Sequence, residues 1–221
     1  MSVLDILTKY RGEFLYGLWV TLKLCLLIWP IGIVVGTALG VAGAKWKLGV
    51  GIPSKVISFT LSGIPILVFL FWLHYPAQSL LKIVVNPFYT AAAALSIINV
   101  LLVADLIRGV LNDFPTQYIM AARVCGLSHQ QTVLNIQLPI IFRQVLPSLL
   151  LIQVSMLQAT LFASLISVDE IFRVAQRINS EVYRPVEIYT ALAVLFLAVC
   201  LPLHGLAYWL KARFTRDLSE Q

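Results

Sequence analysis

Charged residues are scarce in this chain of 221 amino acids. Asp, Glu, Lys and Arg make up only 12% of it, whereas 60% of its residues are hydrophobic and its mean hydropathy is +0.90. Soluble globular domains carry about 25% charged residues. With so little polar surface, the chain needs lipid in place of most of the surrounding water. This composition excludes an ordinary soluble domain and indicates a polytopic membrane protein.

Cysteine and histidine are also rare, with three residues of each. The three cysteines are odd in number and widely spaced, which excludes an internal disulfide framework as an explanation of the fold. The histidines His74, His129 and His204 lack the spacing of metal ligands. No arrangement of serine, histidine and acid indicates nucleophilic catalysis. We therefore expect neither catalytic residues nor a metal site in this chain.

Five apolar runs are long enough to cross a bilayer, which takes about 20 helical residues. Because backbone polar groups in lipid must be satisfied within the segment, these runs predict helices. The sequence thus predicts an all-α fold that forms a single transmembrane domain over residues 1–221. The predicted spans cover residues 15–44, 56–73, 88–111, 140–164 and 187–210.

The net charge of +6 is spread over the segments between the apolar runs. A nucleic-acid-binding domain would instead cluster its basic residues on one face, so we expect no nucleic-acid partner. Placing the N-terminus outside puts nine Lys and Arg residues inside and seven outside. Since cytoplasmic loops carry the excess of basic residues, this count favours an outer N-terminus and a cytoplasmic C-terminus.

The first span carries glycines at intervals of four: Gly32, Gly36 and Gly40. One helix face therefore lacks side chains and allows another helix to approach closely. The stripe predicts a packing seam, either within the bundle or between two subunits.

The segment at 112–139 is amphipathic and too polar to cross the bilayer. Pro115 and Thr116 begin a first short helix, which Gly126 ends in a left-handed cap. Ser128 begins a second helix, with Gln131 completing a capping box. Pro139 marks the entry to the fourth span. The segment predicts two short surface helices.

Six positions of this segment match the pattern E-A-A-x3-G-x9-I-x-L-P. The segment therefore resembles the EAA loop, the signature of the membrane subunits of bacterial ABC importers. The matching residues are Ala121, Ala122, Gly126, Ile136, Leu138 and Pro139. Met120 stands where the motif has Glu. Other segments resemble the polar amino acid permeases, the histidine/glutamine/arginine/opine group. These are LYGLWVTLKLCLL from Leu15, SGIPILVFLF from Ser62 and ADLIRGVL from Ala104.

The resemblance implies a permease subunit of the bacterial inner membrane, with a type I importer fold, that moves polar amino acids or opines by alternating access. It implies a separate ATPase subunit that binds ATP and Mg, because this chain has no G-x-x-x-x-G-K-[ST] phosphate loop. A solute-binding protein would deliver substrate, and a second permease chain would complete the path. The departures at Met120 and Ser62, where the family has Glu and Arg, favour a heteromer over a homodimer.

The resemblance also implies that the loop couples the permease to its ATPase, with the short helix near Ser128 to Asn135 in a groove of that subunit. The expected coupling residues are Met120, Ala121, Ala122, Gly126, Leu127, Ser128, His129, Ile136, Leu138 and Pro139.

Polar groups within the spans are costly and therefore mark candidate substrate contacts. They are Ser62, beside a Gly63-Ile64-Pro65 break that would free backbone groups in the second span, together with Asn99, Gln158 and Thr160. For each of them, an interhelical hydrogen bond is an equal alternative. For Asp105 we favour a local pair with Arg108 over a substrate role. Asp169 and Glu170, before the last span, either attract a cationic substrate, contact the solute-binding protein or are simply solvated.

Three other functions remain as alternatives. The EAA loop is shared by importers of many solutes, so the substrate could be a different small molecule. An ion-coupled secondary transporter would need midplane ion ligands and usually internal repeats, and the sequence shows neither. A membrane-embedded enzyme ranks last, because no paired carboxylates or histidines lie within the spans.

Overall fold

The structure, a computed structural model, describes residues 2–219, with side chains described through residue 214, and all regular structure in this range is helical. The α-helices are α1 (Val3–Lys9), α2 (Arg11–Lys45), α3 (Ile52–Ser62), α4 (Ile66–His74), α5 (Pro76–Leu81), α6 (Pro87–Asn112), α7 (Thr116–Val124), α8 (His129–Thr132), α9 (Leu138–Ala159), α10 (Ile171–Val182) and α11 (Pro185–Ser219). Two π-helical turns, Lys47–Gly51 and Val133–Gln137, and a 3-10 segment, Thr160–Ile166, connect some of them.

Four helical stretches are long and apolar enough to cross a membrane as single helices, and they contain four of the five expected spans. These stretches are Arg11–Lys45, Pro87–Asn112, His129–Ile166 and Pro185–Phe214. The remaining crossing is a bent pair, Lys47–Ser62 with Ile66–Leu81. The all-helical membrane fold is therefore confirmed.

The expected second span, residues 56–73, is broken at Gly63–Pro65, where the sequence predicts a break. Its two halves meet at 97° across Gly63–Pro65. Pro65 has no backbone N–H and disfavours helical geometry in the residue before it, while Gly63 weakens the preceding turn. The apolar run in the sequence is continuous, but the backbone it specifies is broken in the middle.

The glycine stripe of α2 packs inside the bundle, against α6. A Cβ added at Gly36 would lie 2.7 Å from Val103 Cβ, and one added at Gly40 would lie 2.7 Å from Ile107 Cβ. Side-chain-free positions thus let the two helices approach more closely than any other residue would allow. The sequence left open whether the stripe packs within the bundle or between two subunits. The structure shows packing within the chain.

The fourth span and the second helix of the loop form one rod. From His129 to Ile166, 38 residues run through α8, a π-turn, α9 and the 3-10 segment without a non-helical break. Pro139 lies in the first turn of α9, which contains most of the expected span at 140–164, but α8 joins α9 through the π-turn without a non-helical break. The Leu138 N–H bonds the Val133 carbonyl five residues back, and this wider turn accommodates the proline that follows it.

The two ends of the bundle carry different structures. At one end α1 and α10 pack on the start of α11, where Ile6, Ile178 and Ile188 are fully buried together. At the opposite end lie α7, α8 and the π-turn after α2, and we call this the coupling end. The chain therefore begins at one end of the bundle, and α11 runs from that end toward the coupling end.

Candidate functional site

The first helix of the loop, α7, ends as the sequence predicts. Gly126 has φ +74°, in the left-handed region. Its N–H bonds the Arg123 carbonyl, and the Leu127 N–H bonds the Ala122 carbonyl, both at 3.0 Å. This pair of bonds is a Schellman cap, which satisfies the last carbonyls of the helix and turns the chain sharply. Gly126 therefore sets the angle between α7 and α8.

The second helix also begins as expected. The Ser128 hydroxyl accepts from the Gln131 N–H at 3.3 Å, and the Gln131 side chain accepts from the Ser128 N–H at 2.9 Å. Between them, the two short helices bury little more than Ala122 and Thr132.

The coupling end exposes large apolar side chains in the segment from α7 to the start of α9. Met120 and Val124 lie one turn apart on α7 and are 64% and 88% exposed, and Leu134 and Leu138 are also more than half exposed. Ala121, Ser128, His129 and Pro139 are also exposed, whereas Leu127 and Ile136 are half-buried. Large apolar side chains left exposed in this segment are candidates for contact with a partner.

Asn99 holds three helices together. Its side-chain amide donates to the Ile28 backbone carbonyl of α2 and to the side-chain oxygen of Gln153 on α9, both at 3.0 Å. It also accepts from the side-chain nitrogen of Gln153 at 3.3 Å. Both side chains are buried. Of the two roles considered for Asn99, a substrate contact or an interhelical hydrogen bond, the structure shows the interhelical hydrogen bond. Gln153, the partner of Asn99, was not singled out in the sequence, although it lies in the fourth span near Gln158 and Thr160.

The other candidate substrate contacts are dispersed. The Thr160 hydroxyl is buried and donates to the Leu157 carbonyl of its own helix at 2.7 Å. Gln158 is exposed on α9 and contacts the thiol of Cys200 on α11. Ser62 is exposed at the end of α3, beside the break. The structure therefore does not bring the four candidates together.

A polar cluster that includes the expected Asp105–Arg108 pair joins α6 to α3. Arg108 bonds Asp105 and donates to the Ser54 hydroxyl at 2.6 Å and to the Gly51 carbonyl at 3.3 Å. The Ser58 hydroxyl donates to the second oxygen of Asp105. The local pair is confirmed, and α3 supplies two further partners. Ser54 and Ser58 were not singled out in the sequence, because only the fold brings α3 beside α6.

Two adjoining clefts follow the bent helix pair along α6. The larger, of about 620 Å³, lies at the coupling end, and the smaller, of about 210 Å³, lies beside the break. Both are lined by Ser58, Ser62 and Leu102, so they form one continuous groove. Irregular backbone at membrane depth is tolerated where it lines a cavity or is buried in protein. The break at Gly63–Pro65 lies along such a groove.

Glu170 caps α10 at the opposite end of the bundle. Its carboxylate accepts from the Phe172 N–H at 2.9 Å and the Arg173 N–H at 2.8 Å, and the residue has no exposed surface. Burial raises the pKa of Glu170 to about 7, although the two backbone N–H groups and Arg173 oppose the shift. The suggested role of Glu170 as a surface charge is therefore wrong. Only Asp169, which bonds Arg173 at 3.2 Å, is half exposed.

In the part of the chain that the structure describes, no three His, Cys, Asp or Glu side chains come together in a way that could hold a metal ion. The arrangement offers an interaction surface at one end, a groove along the bent pair and rigid helices between them.

Known proteins share this architecture. The chain is similar to the octopine transport system permease protein of Rhizobium meliloti, with 28% identity across 94% of this chain and 91% of that protein. It is also similar to the histidine/lysine/arginine/ornithine transport system permease protein of Salmonella typhimurium, with 24% identity across 93% and 95%. A structure described as the crystal structure of an amino acid ABC transporter with histidines superposes with a TM-score of 0.85 at 24% identity, covering 96% of this chain and 99% of the other.

The family comparison extends over most of the chain. Residues 28–216 match the family described as the binding-protein-dependent transport system inner membrane component. The matched range contains the bent pair, the groove and both helices of the coupling end. The chain therefore belongs to the family of inner membrane components of binding-protein-dependent transport systems.

Proposed function

We propose that this chain is the permease subunit of an ATP-driven importer for polar amino acids or related small solutes such as opines. Full-length similarity to permeases that are named for octopine and for histidine, lysine, arginine and ornithine supports this substrate class. A separate ATPase subunit binds ATP and Mg, and a solute-binding protein presents the substrate. Transport proceeds by alternating access.

The exposed apolar surface of the coupling end is the observation that carries the proposal. Met120 and Val124 on α7 and Leu134 and Leu138 on the rod face away from the bundle. A partner that covers them gains roughly 25 cal/mol for each Å² of apolar surface removed from water. We assign this surface to the ATPase, which places the coupling end and the C-terminus in the cytoplasm and the N-terminus outside.

The coupling residues form a stiff connection to the membrane helices. Gly126 fixes the turn between α7 and α8, and α8 continues into the rod. Closure of the ATPase at this surface moves the rod as a unit, because packed helices switch between discrete arrangements rather than deforming. The groove along the bent pair is the part of the chain that such a movement opens or closes.

A second permease chain completes the path in this proposal. The groove is open on one side in the single chain, so a neighbouring subunit is needed to enclose a solute. The family departures at Met120 and Ser62 favour a different chain as that neighbour, although a second copy of this chain would fit the same role.

Affinity purification of the tagged chain from its native membrane in mild detergent tests the assembly. We expect a phosphate-loop ATPase and a second permease chain to copurify, as identified by mass spectrometry. After reconstitution with the solute-binding protein, uptake of labelled L-arginine, L-histidine or L-glutamine should require ATP. A chain that purifies alone and moves solute without ATP would support the ion-coupled transporter instead.

A variant at Met120, where the chain departs from the family motif, tests the exposed apolar surface of the coupling end directly. Met120→Glu restores the carboxylate of the motif at an exposed position, so the complex should keep or strengthen its association with the ATPase. Val124→Glu places the same charge one turn away, where an apolar contact is expected, and should weaken the association. If both variants retain the ATPase equally, α7 is not part of the interface.

A further inference from the structure

A third cleft, of about 510 Å³, lies at the end of the bundle opposite to the coupling end. Its walls are the outer part of α2, the start of α6 and the turn that leads from the 3-10 segment into α10. Lys23 of α2 and Asp169 of this turn line it, together with Tyr16 and Tyr89. The cleft shares no lining residue with the groove along the bent pair. It is therefore a separate feature of the fold.

Lys23 lies at the depth of a lipid headgroup. No charged residue occurs between Lys23 and Lys45, which stands 22 positions further along the same helix. At about 1.5 Å per residue, this apolar stretch of α2 is roughly 33 Å long. The hydrocarbon core of a bilayer is about 30 Å thick. The two lysines therefore mark the two boundaries of the hydrocarbon core, and the Lys23 ammonium group reaches the phosphate level of one leaflet.

The two charged groups of the cleft can each accept another partner. The Lys23 ammonium lies 5.3 Å from the centre of the Trp19 ring, and no carboxylate in the described part of the chain is within salt-bridge distance of it. Asp169 pairs with Arg173 at 3.2 Å and with Arg177 at 4.0 Å, in both cases through Oδ1. Among residues 2–214, no side chain or backbone N–H donates a hydrogen bond to its Oδ2.

The surface of α2 below Lys23 is apolar and uncovered. Leu26, Leu27 and Val34 lie on the same side of the helix as Lys23 and are 64%, 39% and 67% exposed. In a membrane this face borders acyl chains. Tyr16 and Tyr89 are more than half exposed at the cleft, and tyrosine is enriched at the headgroup level of membrane proteins. The cleft therefore continues into a surface that suits the tail of a lipid.

We propose that this cleft binds phosphatidylethanolamine from the leaflet at this end of the bundle. Lys23 donates to the lipid phosphate, and Oδ2 of Asp169 accepts a hydrogen bond from the lipid ammonium group. Only two carbon atoms separate these groups in the lipid, so a single headgroup can contact both walls of the cleft. The acyl chains follow the exposed face of α2. A bound lipid of this kind ties α2 to the turn before α10.

The headgroup chemistry predicts which phospholipids are excluded. Phosphatidylcholine carries a quaternary ammonium group without an N–H, so it cannot donate to Asp169. Phosphatidylglycerol has no ammonium group and places its negative charge near the same carboxylate. Both lipids keep the phosphate contact with Lys23 but lose the charge-assisted hydrogen bond with Asp169, which is the stronger kind of hydrogen bond.

Native mass spectrometry of the permease–ATPase complex in mild detergent tests the site. The complex is first stripped of lipid and then titrated with dioleoyl phosphatidylethanolamine, phosphatidylcholine or phosphatidylglycerol. We expect phosphatidylethanolamine to bind about 5-fold more tightly than the other two, the factor that a favourable solvent-accessible ion pair contributes. Lys23→Met should weaken the binding of all three lipids. Asp169→Asn should lower only phosphatidylethanolamine, to the level of phosphatidylcholine.

Two control variants separate these contacts from general effects of charge and stability. Lys9→Met removes a lysine that lies over the Tyr10 ring at the same distance of 5.3 Å but outside the cleft, and it should leave lipid binding unchanged. Arg173→Gln breaks the ion pair of Asp169 while keeping its carboxylate, and it should keep the preference for phosphatidylethanolamine. Loss of the preference in Arg173→Gln as well would assign Asp169 a structural role only and overturn its lipid contact.

Other results would assign the cleft to a different occupant. Unchanged binding of all three lipids in Lys23→Met would refute the proposal. Displacement of the lipid by equimolar glycerophosphoethanolamine, which lacks acyl chains, would assign the cleft to a soluble phosphate compound. Displacement by L-arginine would assign it to the solute path. None of these results depends on ATP-driven uptake, so failure of the lipid site is distinguishable from failure of the importer assignment.

Discussion

The seam between α2 and α6 makes a sharp prediction for alanine substitution at Gly36. The new Cβ would lie 2.7 Å from Val103 Cβ and 2.8 Å from the Val100 carbonyl oxygen. Carbon atoms normally pack at about 3.5–4.0 Å, so the helices must separate by about 1 Å. Overpacking of this kind costs about 1–3 kcal/mol. The helix propensity of alanine offsets about 1 kcal/mol of that cost.

Gly205 provides the matched control, because a Cβ added there meets nothing within 4 Å. Gly205→Ala should therefore stabilise α11 by about 1 kcal/mol through propensity alone. The difference between the two variants cancels that contribution and isolates the clash at about 1–3 kcal/mol. Unfolding midpoints in detergent, followed by helical circular dichroism, should separate the variants by several degrees. Equal midpoints would refute the close approach of α2 and α6.

Three further predictions test other features. Gly126→Val should abolish ATP-driven uptake while the chain stays in the membrane, because its φ of +74° is costly for a β-branched residue; Gly12→Val, at a position without this φ, should transport normally. Asn99→Leu should lower the free energy of unfolding by about 1–3 kcal/mol by leaving Gln153 unpaired, and adding Gln153→Leu should recover most of the loss. For Glu170, with a folded pKa of about 7 against an ordinary 4.5, the folded state holds the proton more tightly. The free energy of unfolding should therefore be greatest below pH 4.5 and fall by about 3 kcal/mol as the pH rises through 7, whereas Glu170→Gln should flatten this titration profile.

Local patterns predicted much of the fold because they depend on neighbouring residues alone. Apolar runs located the crossings, and the caps at Gly126 and Ser128 formed where their turn chemistry placed them. The break at Gly63–Pro65 could also be predicted, because glycine and proline weaken a helix locally, although hydropathy alone averages over it. Pro139 lies in the first turn of α9 as expected, but the sequence did not indicate that a π-turn would join α8 to α9.

The polar groups were harder to predict because their partners lie far away in the chain. Asn99 pairs with a residue 54 positions away and with a backbone carbonyl 71 positions away, and no spacing rule reports such contacts. The burial of Glu170 likewise depends on the packing of α10 against α2 and α11, whereas its sequence position resembles a solvated loop. The groove itself exists only once α3 is bent away from α4 beside α6.

The unbroken rod from His129 to Ile166 has a consequence for timing. At about 1.5 Å per residue, 38 helical residues extend roughly 57 Å, from the coupling end to the turn just before Glu170. Pro147 inside α9 and the π-turn Val133–Gln137 are the points along it where a helix bends most easily. If the rod transmits movement as proposed, the stiffness of these two points sets how closely in time its two ends move.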